Sequence, residues 1–208
     1  MKILRNLRTT LRENWRTYIL LNVATYGALV VMMSVTSLMP GMREEGVEGS
    51  TAFTNLPGLS AVVDAYASGN VIAAALLTFI ANLLFAAVLT TTLPSLIIPF
   101  FAVVATVGRA GLIGMWLAPG SPGEALALMP HAPIVIIEFQ AYILAALGAV
   151  IIWRKTLGHR RHGSLSAWAG YRIGIQDNVR LYPVIIAILV LAGFLEAIEV
   201  IYLRPLLY

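Results

Sequence analysis

Cysteine is absent from the 208 residues. That excludes disulfides, thiolate metal sites, a cysteine nucleophile and covalent haem attachment. Charge is scarce: 12% of the residues are Asp, Glu, Lys or Arg, against about 25% in an ordinary soluble domain. Histidine occurs three times, at His131, His159 and His162, so any metal would have to use imidazole, carboxylate or water. There is no phosphate-binding glycine loop, and an ATP-driven step would need a separate ATPase. Ser164 and Ser166 have no Asp–His arrangement around them, and G-x-G-like spacings fall inside an apolar run rather than after a strand. Soluble hydrolase and dinucleotide-binding readings are therefore disfavoured.

What the chain has instead is hydrophobicity. It is 59% hydrophobic, with a mean hydropathy of +0.84. The expected fold is an all-α integral membrane protein of five transmembrane helices plus amphipathic interfacial helices. The net charge of +4 is not a nucleic-acid signal, because the basic residues gather in two short segments beside apolar runs, as the positive-inside rule expects.

Residues 1–16 carry Lys2, Arg5, Arg8, Arg12 and Arg16 against Glu13, with Ile3, Leu4, Leu7 and Leu11 at helical spacing. They read as a helix on the cytoplasmic surface, or a docking helix for a partner. Residues 18–39 form the first span, a retained signal-anchor too long for a cleavable leader; Asn22 near its inner end needs no function. Residues 40–70, with Glu44, Glu45, Glu48 and Asp64 against Arg43, form an acidic, turn-rich extracytoplasmic loop, in which 59–67 make a short interfacial helix. The second span is 71–90. The third, 93–117, is kinked or broken by Pro94, Pro99 and the glycines of GRAGLIG. A second turn-rich loop, 118–130, precedes the fourth span, 133–153. Residues 154–181 are a basic cytoplasmic segment with another surface helix, in which Trp168 and Tyr171 sit at headgroup level and His159 and His162 are solvated. The fifth span is 183–203. A cytoplasmic N-terminus and five crossings place both basic segments inside.

The candidate site follows from ionisable side chains within these spans. Each costs roughly 2.5–3.5 kcal/mol on insertion scales, so one that is kept points to function. His131 and Glu138 are seven residues apart on one helix face, and Glu196 and Glu199 are one turn apart. At about 1.5 Å per residue, His131 falls at the outer surface, Glu138 roughly 8 Å inward, Glu199 roughly 6 Å and Glu196 roughly 10 Å. On the same rise, Arg109 lies roughly 12 Å deep and Asn82 roughly 16 Å. Four helices thus place polar groups in the outer half of the membrane, and one shared pocket of Asn82, Arg109, Glu138 and Glu196 is expected. Arg109, the only cation inside a span, is expected to pair with a carboxylate.

Three stretches carry a family resemblance. FIANLLFAAVLT around Asn82 is followed by a kinked helix and GRAGLIG; Pro130-His131 leads to Glu138-Phe139-Gln140-Ala141; and a closing span contains Glu196-Ala197 within FLEAIEVIYL. In order and spacing the chain resembles the stage II sporulation protein M family of polytopic membrane proteins. That resemblance implies a multi-span protein in a cell envelope assembly at the plasma membrane, with Glu138 and Glu196 as the positions carried over.

Three readings of the pocket stay open, and with them whether any reaction occurs. In a scaffold, Arg109 neutralises Glu138 or Glu196 and partner contacts do the work. In a metal-dependent intramembrane hydrolase, His131, Glu138 and Glu196, with Glu199, hold a divalent ion such as zinc, and Glu138 and Glu196 are the catalytic candidates. In a small proton- or cation-coupled transporter, Glu138 and Glu196 bind the ion and the broken third helix gates. The expected partners are the lipid bilayer, a second copy of the chain or other envelope membrane proteins, and a separate ATPase; the glycines 108, 111 and 114 are expected to be a packing face, for a homodimer among other uses. The leading expectation is support of translocation or processing of an extracytoplasmic peptide or wall component.

Overall fold

The computed structural model describes residues 2–56, 59–161, 163 and 165–206. The expectations for His162 and Ser164 fall outside the described residues, as do Pro57 and Gly58. Every regular element among the described residues is helical. In chain order they are α1 (Lys2–Glu13), α2 (Trp15–Leu38), α3 (Pro40–Thr54), α4 (Ser60–Ala67), α5 (Val71–Ile97), α6 (Phe101–Trp116), α7 (Pro122–Leu128), α8 (Ala132–Leu157) and α9 (Ala167–Leu206). Four of them, α2, α5, α8 and α9, are long and apolar enough to cross a membrane; α6 is apolar but has 16 residues.

α8 is the centre. Its side chains from Ile134 to Ile152 are buried on nearly every face, as an all-round apolar helix requires when neighbours surround it. Ala141, Ala145, Ala146, Gly148 and Ala149 keep it slim, so α2, α5, α6 and α9 can approach. α9 makes its most extensive packing against α8, and the two run antiparallel. His131 at the start of α8 meets Glu199 late in α9, while Lys155 at the end of α8 pairs with Asp177 early in α9. Close approach there depends on small residues. A Cβ on Gly174 would stand 2.6 Å from the Ile152 Cα, and one on Gly148 would overlap the Asn178 side chain.

Several boundaries differ from those expected. The second span continues past 90 to Ile97, through an 11-residue π-helical stretch, Asn82–Thr92. Pro94 is accommodated just beyond that stretch, where the hydrogen-bond ladder changes register. The break falls instead at 98–100. Ile98 before Pro99 is extended, as a residue preceding proline prefers, and Phe100 is left-handed at φ 61°. The helix expected as the third span therefore begins at Phe101 rather than 93.

Residues 40–70 are mostly helical, because Gly46 and Gly49 let α3 lie on Met115 and Trp116 of α6. Among the described residues, the basic segment after α8 contains no separate surface helix. Its residues from Ala167 onward open α9, which runs straight through Pro183. Burial of Gly170, Gly174, Asn178 and Leu181 against α8 outweighs the cost of the proline. Gly111 and Gly114 face Met32 and Leu29 of α2, so two of the three glycines expected to form a packing face do so within the chain. Only Gly108 looks onto open space.

Candidate functional site

α8 carries Glu138 one and a half turns from its start, at the wall of a cavity of about 260 Å³. Asn82 from α5, His131 and Glu138 from α8, and Glu196 from α9 line it, with Leu59 and Val62 covering it. A second cavity of about 430 Å³ shares Asn82 and Glu138 with the first and extends to Arg109, Tyr142 and Thr90. The four expected pocket residues are thus distributed over two adjoining cavities, with Glu138 and Asn82 at the junction. The seven-residue spacing of His131 and Glu138 turns both into the first cavity, as one helix face should.

Arg109 does not reach a carboxylate. Among the described residues no Asp or Glu comes within ion-pairing distance of it. Tyr142 stands between, and its ring face carries the guanidinium at 4.9 Å from the centroid while its hydroxyl donates to Glu138 Oε1. Arg109 also donates to Thr90 Oγ1, and more weakly to Thr91 Oγ1 at 3.4 Å. Both threonines belong to the π-helical stretch. The expected direct pair is replaced by a relay, Arg109–Tyr142–Glu138, because residue 142 lies one turn beyond 138 on the same face. Tyr142 is fully buried and packs edge-on against Phe139, at 5.6 Å between centroids.

At the mouth of α8, His131 Nδ1 lies 3.0 Å from Glu199 Oε2. Glu199 is 2% exposed, its Oε1 has no hydrogen-bond partner among the described residues, and Arg204 Nε stands 3.8 Å away. Glu196, one turn earlier, faces the cavity with Glu138. Tyr66 on the short α4 is drawn into the same field. Its hydroxyl meets Thr78 Oγ1 at 2.9 Å, and burial, followed by the negative charge of Glu196, pushes its pKa up.

The expected metal set His131, Glu138, Glu196 and Glu199 is divided between two contacts, His131 with Glu199 and Glu138 with Tyr142. Among the described residues no three His, Asp or Glu side chains group closely enough to hold an ion.

Other polar contacts were not anticipated from the sequence. Gln140 on α8 donates to Asn22 Oδ1 (2.8 Å) and to the Tyr26 hydroxyl (2.7 Å), and accepts from the Tyr18 hydroxyl (2.5 Å). Asn22, expected to face water with no role, is therefore a tie between α2 and α8. The spacing of Tyr18, Asn22 and Tyr26 at four-residue intervals is the signal that could have revealed this. Tyr142 was equally legible as Glu138 plus four. Asn178, buried against Gly148, had no such marker. No family model, curated protein or solved structure matches this chain.

Proposed function

We propose that the protein is a multi-pass plasma-membrane component of a cell envelope assembly, crossing five times with its N-terminus cytoplasmic. Its acid-lined cavity then opens toward the extracytoplasmic side. There it binds a proton or a cationic group and supports translocation or processing of an extracytoplasmic substrate. One observation carries the reading: Glu138 and Glu196 face one cavity, and neither is ion-paired to any described cation. Carboxylates left uncompensated inside a bundle are expensive, and a site that takes up and releases positive charge accounts for keeping them. Charge segregation supports the orientation. Arg154, Lys155, Arg172 and Arg180 gather where α8 ends and α9 begins, and Arg154 meets Asn14 and Thr17 of the α1–α2 region.

On this reading each polar group has a part. Glu138 is oriented by Tyr142, Arg109 rests on the face of the same ring, and His131 with Glu199 closes the outer end. The resemblance to the stage II sporulation protein M family is consistent with an assembly role, served through other envelope proteins, a second copy or a separate ATPase. The test is cation flux in proteoliposomes, read with an internal pH indicator under an imposed gradient. Flux above protein-free vesicles, lowered at least tenfold by Glu138→Gln and by Glu196→Gln, is expected. Flux absent, or unchanged in both variants, overturns the reading.

A further inference from the structure

α6 packs closely on α2 through Gly111 and Gly114, but only sparsely on α5. The consequence is a groove between α5 and α6, the 430 Å³ cavity described above, walled by Phe85 and Ala86 on one side and Phe101, Ala105 and Leu112 on the other. From Trp116 to Phe101 the α6 wall is roughly 22 Å long at 1.5 Å per residue. That exceeds the roughly 15 Å half-thickness of a bilayer core, so an acyl chain fits along it. Phe85 and Leu112, which line it, are exposed, so the groove faces the surroundings of the bundle rather than its core. At its upper end it merges with the acidic cavity at Asn82 and Glu138. An apolar shaft ending in uncompensated carboxylates has the polarity of an amphiphile with a cationic head.

We propose that the joined cavities are a binding site for an amine-headed phospholipid, with the ammonium group against Glu138 and Glu196 and one acyl chain between α5 and α6. This rests on the reading of the acidic cavity as an outward-opening cation site and names its ligand class. The ammonium supplies three N–H donors and the charge that the two carboxylates lack. Arg109 stays out of contact with the ammonium, its guanidinium held by Thr90 and the Tyr142 ring.

The full chain is purified from vesicles containing equal phosphatidylethanolamine and phosphatidylglycerol of the same acyl chains, and retained lipid is read by native mass spectrometry. One phosphatidylethanolamine per chain, at least tenfold over phosphatidylglycerol, is expected. The double variant Glu138→Gln/Glu196→Gln should lose the preference. Ala105→Phe, which fills the groove without touching a carboxylate, should lose the lipid, and Ala105→Ser should keep it, which separates blockage from misfolding. Equal retention of the two lipids, or full retention by Ala105→Phe, overturns the proposal. Carboxylate-dependent flux that persists alongside equal retention removes the lipid assignment alone. Absent flux with selective retention removes the transport role alone.

Discussion

If Tyr142 is the link between Arg109 and Glu138, the energetic coupling must follow the relay and not the charges. Tyr142→Phe removes the hydroxyl that donates to Glu138 while leaving the ring under the guanidinium. A hydrogen bond to a charged group is worth about 1.5–3 kcal/mol, so this variant should cost about 2 kcal/mol of stability. In a Glu138→Met background the acceptor is gone, and the same change should cost under about 0.5 kcal/mol, a coupling of about 1–2 kcal/mol. Arg109→Met should cost about 0.5–2 kcal/mol through loss of the contact with the ring, and should cost far less once Tyr142→Leu has removed that ring. Between Arg109 and Glu138 themselves the coupling should be smaller than that between Tyr142 and Glu138, because the two residues are linked only through the shared tyrosine. Reversible unfolding in mixed micelles, followed by the fluorescence of the four tryptophans, measures all three cycles. An Arg109–Glu138 coupling larger than the Tyr142–Glu138 coupling would refute the relay.

Three further predictions test other parts of the structure. Gln140→Leu removes three hydrogen bonds between α2 and α8, and at about 0.6 kcal/mol per membrane-embedded bond the same unfolding assay should show a loss of about 2 kcal/mol. Gly114→Ala drives a methyl into the Leu29 backbone and should cost about 1–3 kcal/mol, whereas Gly108→Ala, facing open space, should gain up to about 1 kcal/mol from helix propensity; a thermal shift of the same sign in both would contradict the packing. Outside the spans, the Gly120 N–H donates to Glu124 and Arg43 pairs with it at 2.5 Å, and together they hold its carboxyl below the ordinary range. A depressed folded-state pKa gives stability that is present above the unfolded value and lost as pH falls through the folded one. Hydrogen exchange at the Gly120 amide should therefore lose protection between about pH 4.3, the ordinary glutamate value, and lower pH, and Glu124→Gln should abolish that pH dependence.

The helical character and the central element were legible because they rest on long-range composition. The run from Met129 to Trp153 carries no strong helix breaker after Pro133, so its identity as a buried helix follows from hydrophobicity alone. The residues brought to the cavities were also legible, since depth along a helix is nearly linear in residue number. What could not be read was angular. Whether Arg109 meets Glu138 directly or through Tyr142 depends on how α6 is rotated against α8, and the glycines on the α2 side fix that rotation. Of the two prolines expected to interrupt the chain here, Pro99 marks the break and Pro94 does not, because Pro94 follows an 11-residue π-helical stretch, Asn82–Thr92, that no sequence signal marks. Likewise α3 looked like a loop because Gly46 and Gly49 read as turn residues, when they are contact residues against α6.

The central claim, that Glu138 and Glu196 share a cavity reached from the extracytoplasmic side, can be tested without background because the chain has no cysteine. A single Glu196→Cys substitution, challenged in intact cells and in inverted vesicles with a membrane-impermeant thiol reagent, measures access from each side, with Arg160→Cys as the cytoplasmic marker. The account predicts that Glu196→Cys is labelled in intact cells and Arg160→Cys only in inverted vesicles. Labelling of Glu196→Cys only in inverted vesicles would contradict it.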